Sequence, residues 1–262
     1  MSQEEEKSTK LKKIVEMVNK SEICSIRNIV TGIIKIINDP KSSAKDLKEM
    51  IQIDPPLTGK LLKLANSVYH SPQTKISEIQ QAIIWVGYDA LKELALRQKI
   101  CEVFDGDSTF EGYSRPILWK HSIAVSLLGK MIYRREFREK GENMYVAGLL
   151  HDIGILALDQ FCEDEFRLIL SKTKTDKEDF TKAEKEVLGF DHTEVGKAIT
   201  NDWNLPQELV EVIGCHHNPD NIAQEFEKAS LTLYVADYVC QQKGIGYGDA
   251  PVPDKESFRR CL

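Results

Sequence analysis

Residues 145–158 read YVAGLLHDIGILAL, an apolar run at helical spacing with one polar doublet, His151-Asp152, in its middle. Adjacent residues of one helix point about 100° apart. Both side chains therefore reach a common centre only where the helix meets a junction of a bundle. Outward from the doublet, five of the six histidines lie after residue 120: His121, His151, His192, His216 and His217. Asp237 follows, inside the apolar run Leu231 to Val239, where a carboxylate is costly to bury unless paired or bound to a cation. Imidazole and carboxylate are ligands that borderline and hard divalent metals take from proteins. A set drawn from separate segments converges only if the fold brings them together.

The rest of the chain reads as helix almost throughout. Ile29, Ile33, Ile34, Ile36 and Ile37 recur at helical spacing, and Asp39-Pro40 ends that helix. Ser43 is an N-cap candidate with Asp46 in the first turn. Asp54-Pro55-Pro56 breaks the chain and opens a helix with Leu57, Leu61, Leu64 and Val68 on one face. Gly87 is a stop between Ile76–Val86 and Tyr88–Phe104. The stretch Asp105-Gly106-Asp107-Ser108-Thr109 is a composition break, either a loop or a boundary between lobes. Helical periodicity resumes over Pro116–Met131, Val146–Leu158, Phe166–Lys172, Lys182–Leu188, Thr193–Thr200, Glu208–His217 and Leu231–Gln241. No alternating strand of five or more residues stands out. The tail from Gly244 to Pro253, rich in Gly, Pro and Asp, reads as irregular.

Bulk properties bound the function. A chain of 262 residues, 42% apolar and 29% charged, has the makeup of a globular protein with a sizeable core. Its net charge of −6 lends no support to a nucleic-acid surface. The apolar runs fall far short of the ~20 residues that span a bilayer. The charged start, MSQEEEKSTKLKK, lacks a signal-peptide core, so a cytoplasmic protein without a membrane partner is expected. The scattered cysteines then read as reduced, mostly buried thiols.

Each polar residue has a plainer reading of its own. His121 suits a hydrogen-bonded core histidine, and His192 beside Asp191 suits a cap or surface residue. His216-His217 suit a helix C-terminus, and Asp237 suits a pair with an arginine. Cys215 fits a small core residue better than a thiolate ligand. His70 has no partner nearby in sequence and fits a loop. Order and spacing together say more than any one of these.

The order His121, His151-Asp152, Asp237 resembles the metal-binding pattern of the HD phosphohydrolase superfamily. Ile53-Asp54-Pro55-Pro56-Leu57-Thr58, with Leu61-Leu62-Lys63-Leu64-Ala65-Asn66-Ser67, is similar to the N-terminal signature of the HDOD family. Ala82-Ile83-Ile84-Trp85-Val86-Gly87, Gly189-Phe190-Asp191-His192, Trp203-Asn204-Leu205-Pro206 and His216-His217 fit the same family.

That resemblance implies an all-α, compact multi-helix HDOD fold with two helical lobes, the C-terminal one HD-like. It places an HDOD domain over 22–242, with lobes about 22–106 and 110–242, after a helical extension over 1–21 and before an irregular tail, 243–262. It implies a bacterial regulatory or signal-transduction role with a protein partner. It also implies one or two divalent metal ions of the Fe, Mn, Ni or Zn class. The positions of the fuller ligand set of the related HD-GYP phosphodiesterases are all occupied, by His121, His151, Asp152, His192, His216, His217 and Asp237. On that likeness Asp152 bridges two metals. His121, His151 and Asp237 hold one, and His192 with one or both of His216 and His217 holds the other.

Two departures weigh against the HD-GYP activity. Ile155 stands where those proteins carry a phosphate-contacting lysine. Asn218-Pro219-Asp220-Asn221 stands where they carry a Gly-Tyr-Pro loop. A metal-binding signalling domain is therefore the leading expectation. A phosphohydrolase or phosphodiesterase acting on a nucleotide or cyclic dinucleotide is the second, and a metal-free protein-interaction module is the third.

Overall fold

The structure, a computed structural model, describes residues 3–68, 75–106, 109–218 and 223–247. His70, Pro219 to Asn221 and the tail beyond Tyr247 lie outside the described residues. The chain divides into two compact units. One is Ser25–Val103, and the other joins Met1–Cys24 to Phe104–Leu262.

Among the described residues, five α-helices build the Ser25–Val103 unit: α2 (Arg27–Asn38), α3 (Ala44–Gln52), α4 (Pro55–Val68), α5 (Ile79–Val86) and α6 (Tyr88–Ile100). Ile29, Ile33, Ile34 and Ile36 form the buried stripe of α2. Ser43 opens α3 by donating its backbone N–H and its hydroxyl to the Asp46 carboxylate, at 2.7 and 2.6 Å. One oxygen of Asp54 accepts the Leu57 N–H at 2.9 Å, and the other accepts Lys99 Nζ at 2.7 Å. Gly87 makes the expected stop, turning the chain between α5 and α6 at φ 94°.

The other unit begins with α1 (Gln3–Asn19) and resumes with a hairpin of two-residue strands, β1 (Thr109–Phe110) and β2 (Tyr113–Ser114), in antiparallel register. Among the described residues eight α-helices follow: α7 (Arg115–Phe137), α8 (Glu142–Leu150), α9 (Ile153–Phe161), α10 (Glu163–Asp176), α11 (Phe180–Leu188), α12 (His192–Asp202), α13 (Gln207–Gly214) and α14 (Glu227–Gln242). With strands this short, the fold is all-α. No described helix is long and apolar enough to cross a membrane.

Within this unit α7 packs on α8 and α14, and α12 packs on α9 and α13. Two glycines let the helices approach. A Cβ on Gly148 would overlap the Ser126 backbone of α7, and one on Gly154 would overlap the His192 carbonyl at the start of α12. These two approaches bring the doublet of the 145–158 run beside His121 and beside His192.

The expectation for the cysteines needs correction. Among the described ones none forms a disulfide, but Cys24, Cys101, Cys162 and Cys215 are half-buried and only Cys240 is buried. The four lie in 3-10 turns or at helix ends, which reach the surface, whereas Cys240 sits inside α14.

Gly148→Ala drives a methyl into the α7 backbone. Overpacking of this kind costs about 1–3 kcal/mol. Urea unfolding should show that loss, and a variant as stable as the parent would contradict the close α7–α8 approach.

Candidate metal centre

The 145–158 run is not one helix. His151 ends α8 and Asp152 precedes α9, so the doublet occupies the junction between them. His121 projects from the first half of α7, and Asp237 from the middle of α14. His192 is the first residue of α12, and His216-His217 lie in the turn after α13. His121, His151, His192 and His216 are fully buried, Asp152 and Asp237 nearly so, and His217 is part-exposed.

His192 is not the cap or surface residue expected of it alone. Asp191 is the N-cap, accepting the N–H groups of Thr193 and Glu194, while Glu194 returns the contact to the Asp191 N–H. With the capping done by its neighbour, the imidazole is free to point inward. Asp237 pairs with imidazole rather than with arginine.

The donor atoms converge on Asp152. Its Oδ2 lies 3.0 Å from His151 Nε2 and 3.6 Å from His121 Nε2. Its Oδ1 lies 3.5 Å from both His192 Nε2 and His216 Nε2. Asp237 Oδ1 stands 3.0 Å from His121 Nε2, and its Oδ2 stands 3.6 Å from His217 Nδ1. The seven predicted residues are thus brought together. Two sets of donor atoms, His121–His151–Asp152 and Asp152–His192–His216–His217, each gather within 4.8 Å, with Asp152 in both.

Tautomers are fixed from behind. The Nδ1–H of His151 donates to the Gly148 carbonyl at 2.9 Å, that of His216 to Ile213 at 2.7 Å, and that of His121 to Ile245 at 2.6 Å. His192 Nδ1–H donates to Glu184 Oε2 at 2.6 Å. Each neutral ring then turns its Nε2 lone pair inward. Those lone pairs face one another: His121 and His151 at 3.3 Å, His192 and His216 at 3.4 Å, His192 and His217 at 3.1 Å. Two nitrogens bound to one metal at about 2.0–2.1 Å with near-tetrahedral angles stand about 3.3 Å apart. The spacing suits a shared cation.

Two further observations point the same way. Neither oxygen of the buried Asp152 carboxylate accepts a hydrogen bond among the described residues, and buried carboxylates rarely go without. Burial raises the carboxyl pKa of Asp152, yet the imidazoles of His151, His216 and His192 hold it well below the usual range. Burial likewise raises Asp237, which His121 and His217 bring down.

Burial pushes His121 down, and Asp237 reverses that. It pushes His192 down too, but Glu184 and Asp152 lift it to about 9. His216 and His217 are lowered, by burial first and then by neighbouring imidazoles. In this half one ring takes a proton while two remain bare acceptors. The cluster is built around positive charge, and its His and Asp groups are of a kind and spacing that can bind metal.

Four contacts escaped the sequence reading. Glu184 is fully buried and accepts both the side-chain and backbone N–H of His192. Gln241 Nε2 donates to both oxygens of Asp237, at 2.9 and 3.0 Å. The Ile245 carbonyl takes His121, and the Tyr247 ring stands 5.2 Å from the His121 ring. Gln241, one helical turn after Asp237, was within reach of spacing rules. Glu184 lies in an acid–base-rich helix face and carries no such signal. Cys215 takes no part in the two donor sets.

The HDOD domain family matches residues 23–219. An uncharacterized protein of Treponema pallidum (strain Nichols) is 22% identical over 204 residues, covering 77% of this chain but only 39% of that relative's length. An HDOD domain protein of unknown function from Geobacter sulfurreducens is 29% identical with a TM-score of 0.74, covering 89% of this chain and 82% of its own. A Marinobacter aquaeolei VT8 chain, provisionally named a signal transduction protein, shares the fold at 20% identity and a TM-score of 0.73, over 89% of this chain and 52% of its own. A Shewanella amazonensis SB2B chain, provisionally named a metal-dependent phosphohydrolase, shares it at 20% identity and a TM-score of 0.52, over 82% and 75%. With a family match across most of its length and the His/Asp cluster in place, the chain belongs to the HDOD domain family.

Proposed function

We propose that this HDOD domain is a regulatory module that holds one or two divalent metal ions at Asp152, and that the metal serves structure or sensing rather than hydrolysis. The observation that carries this reading is the Asp152 carboxylate, buried without a hydrogen-bond donor between imidazole lone pairs fixed from behind. His121, His151 and Asp237 would hold one ion, and His192, His216 and His217 the other, with Asp152 shared. Ions of the Fe, Mn, Ni or Zn class suit such nitrogen and oxygen donors.

Ile155 supports a role without hydrolysis. It is fully buried and apolar, and it offers no charge to a phosphate oxygen. A protein partner is part of the reading. Ile84 and Trp85 are 74% and 54% exposed on α5, and Ile53 is 66% exposed at the end of α3, which packs on α5. The second reading is a phosphohydrolase acting on a nucleotide. The sharing of Asp152 between both donor sets favours it, since a bridged metal pair activates water for attack on phosphorus.

Elemental analysis of protein purified without a histidine tag should find bound metal, and Asp152→Ala should lose most of it. Metal at background level, even after anaerobic supplementation, would sink both metal readings. A phosphodiesterase screen with Mn²⁺ or Fe²⁺ should give no turnover. Turnover abolished by Asp152→Ala would hand the site to the hydrolase reading.

Metal uptake should also depend on pH. Below a pKa of about 9 the metal-free His192 carries a proton that an incoming ion displaces. Apparent affinity should therefore rise with pH up to about 9. Calorimetry at neutral pH in two buffers of different ionisation enthalpy should register the released protons, and identical heats in both would contradict it.

A further inference from the structure

The chain leaves α14 and turns straight back over the cluster. Gly244, at φ 71°, takes the left-handed conformation, and the Ile245 N–H donates to the Cys240 carbonyl at 2.9 Å, closing the turn. The turn places the Ile245 carbonyl on His121 Nδ1. Two residues on, the Tyr247 ring meets the His121 ring edge-to-face at 5.2 Å and the Phe180 ring at 5.8 Å. Phe180 in turn lies 5.9 Å from His192. One aromatic side chain thus stands between an imidazole of the first donor set and a ring that packs on the second.

We infer that Gly244–Tyr247 is a built-in plug, which closes the Asp152 cluster to outside ligands and must swing aside before any small oxyanion reaches a metal held there. Three features fit that role. Among the described residues the segment is held by its turn, the Ile245 carbonyl and the Tyr247 ring contacts, and it belongs to no helix or strand, so its opening leaves every element intact. Its glycines at 244 and 246 leave the backbone free to pivot. The Tyr247 ring covers His121 and the Phe180 ring that packs on His192, so an oxygen ligand from outside would compete with it for the same face. This inference rests on the metal reading only for the identity of what is being closed off.

Two arms test it. In metal-free full-length protein, diethylpyrocarbonate should label His216, a fully buried imidazole, slowly. Tyr247→Ala should speed that labelling about tenfold, as expected if the plug is closed about nine-tenths of the time. Tyr247→Phe keeps the ring against His121 and Phe180 and should label at the parent rate, which separates opening of the plug from general loosening. Equal rates for Tyr247→Ala and parent overturn the inference, whether or not metal binds. In Mn²⁺-loaded protein, with metal content measured alongside, Tyr247→Ala should bind inorganic phosphate about tenfold more tightly than the parent. Equal phosphate affinity at equal metal content also overturns the plug. A parent protein that takes up no Mn²⁺ contradicts the metal reading instead, and the labelling arm then decides the plug alone.

Discussion

A carboxylate buried among inward-facing imidazole lone pairs is the constraint on which the C-terminal half of this molecule depends. Asp152 has no hydrogen-bond donor on either oxygen among the described residues, and four Nε2 atoms stand between 3.0 and 3.6 Å from those oxygens. In a low-dielectric interior such an arrangement is costly unless positive charge sits in its centre. Protons supply part of that charge, as the raised pKa values of His121 and His192 indicate. A metal ion held there would supply it with better geometry.

The fold is arranged around that requirement. The break between α8 and α9 turns His151 and Asp152 toward one centre, which neighbours on a continuous helix do not reach. Gly148 and Gly154 bring α7 and the start of α12 within backbone distance of the doublet, where any side chain would hold them off. Asp191 takes over the capping of α12 and so releases His192 for the interior. Glu184, Gln241 and three backbone carbonyls then fix the rings and the second carboxylate from behind. Metal sites commonly depend on such outer contacts.

Much of this was legible in the sequence, for physical reasons. Apolar periodicity marked the helices, and Ser43, Asp54-Pro55 and Gly87 marked their ends, because caps and breakers act locally. His121, His151, Asp152 and Asp237 were legible because a polar residue inside an apolar run needs a cause, while His192, His216 and His217 joined them through order, spacing and the family resemblance. What stayed hidden depends on tertiary proximity. Glu184 meets His192 only because α11 and α12 turn on each other, and the reach of Tyr247 to His121 follows from a reversal of the chain after α14. His192 read alone as a cap because the preceding aspartate and the histidine are both competent to cap. The cysteines were read as mostly buried because thiols favour burial, while 3-10 turns and helix ends leave four of them half-buried.

The most direct test is an anomalous difference map from crystals of metal-loaded protein. The account predicts a peak within bonding distance of an Asp152 oxygen and of Nε2 atoms from at least one donor set. Crystals of protein shown to contain metal, with the ion elsewhere and Asp152 surrounded only by water and imidazole, would contradict it.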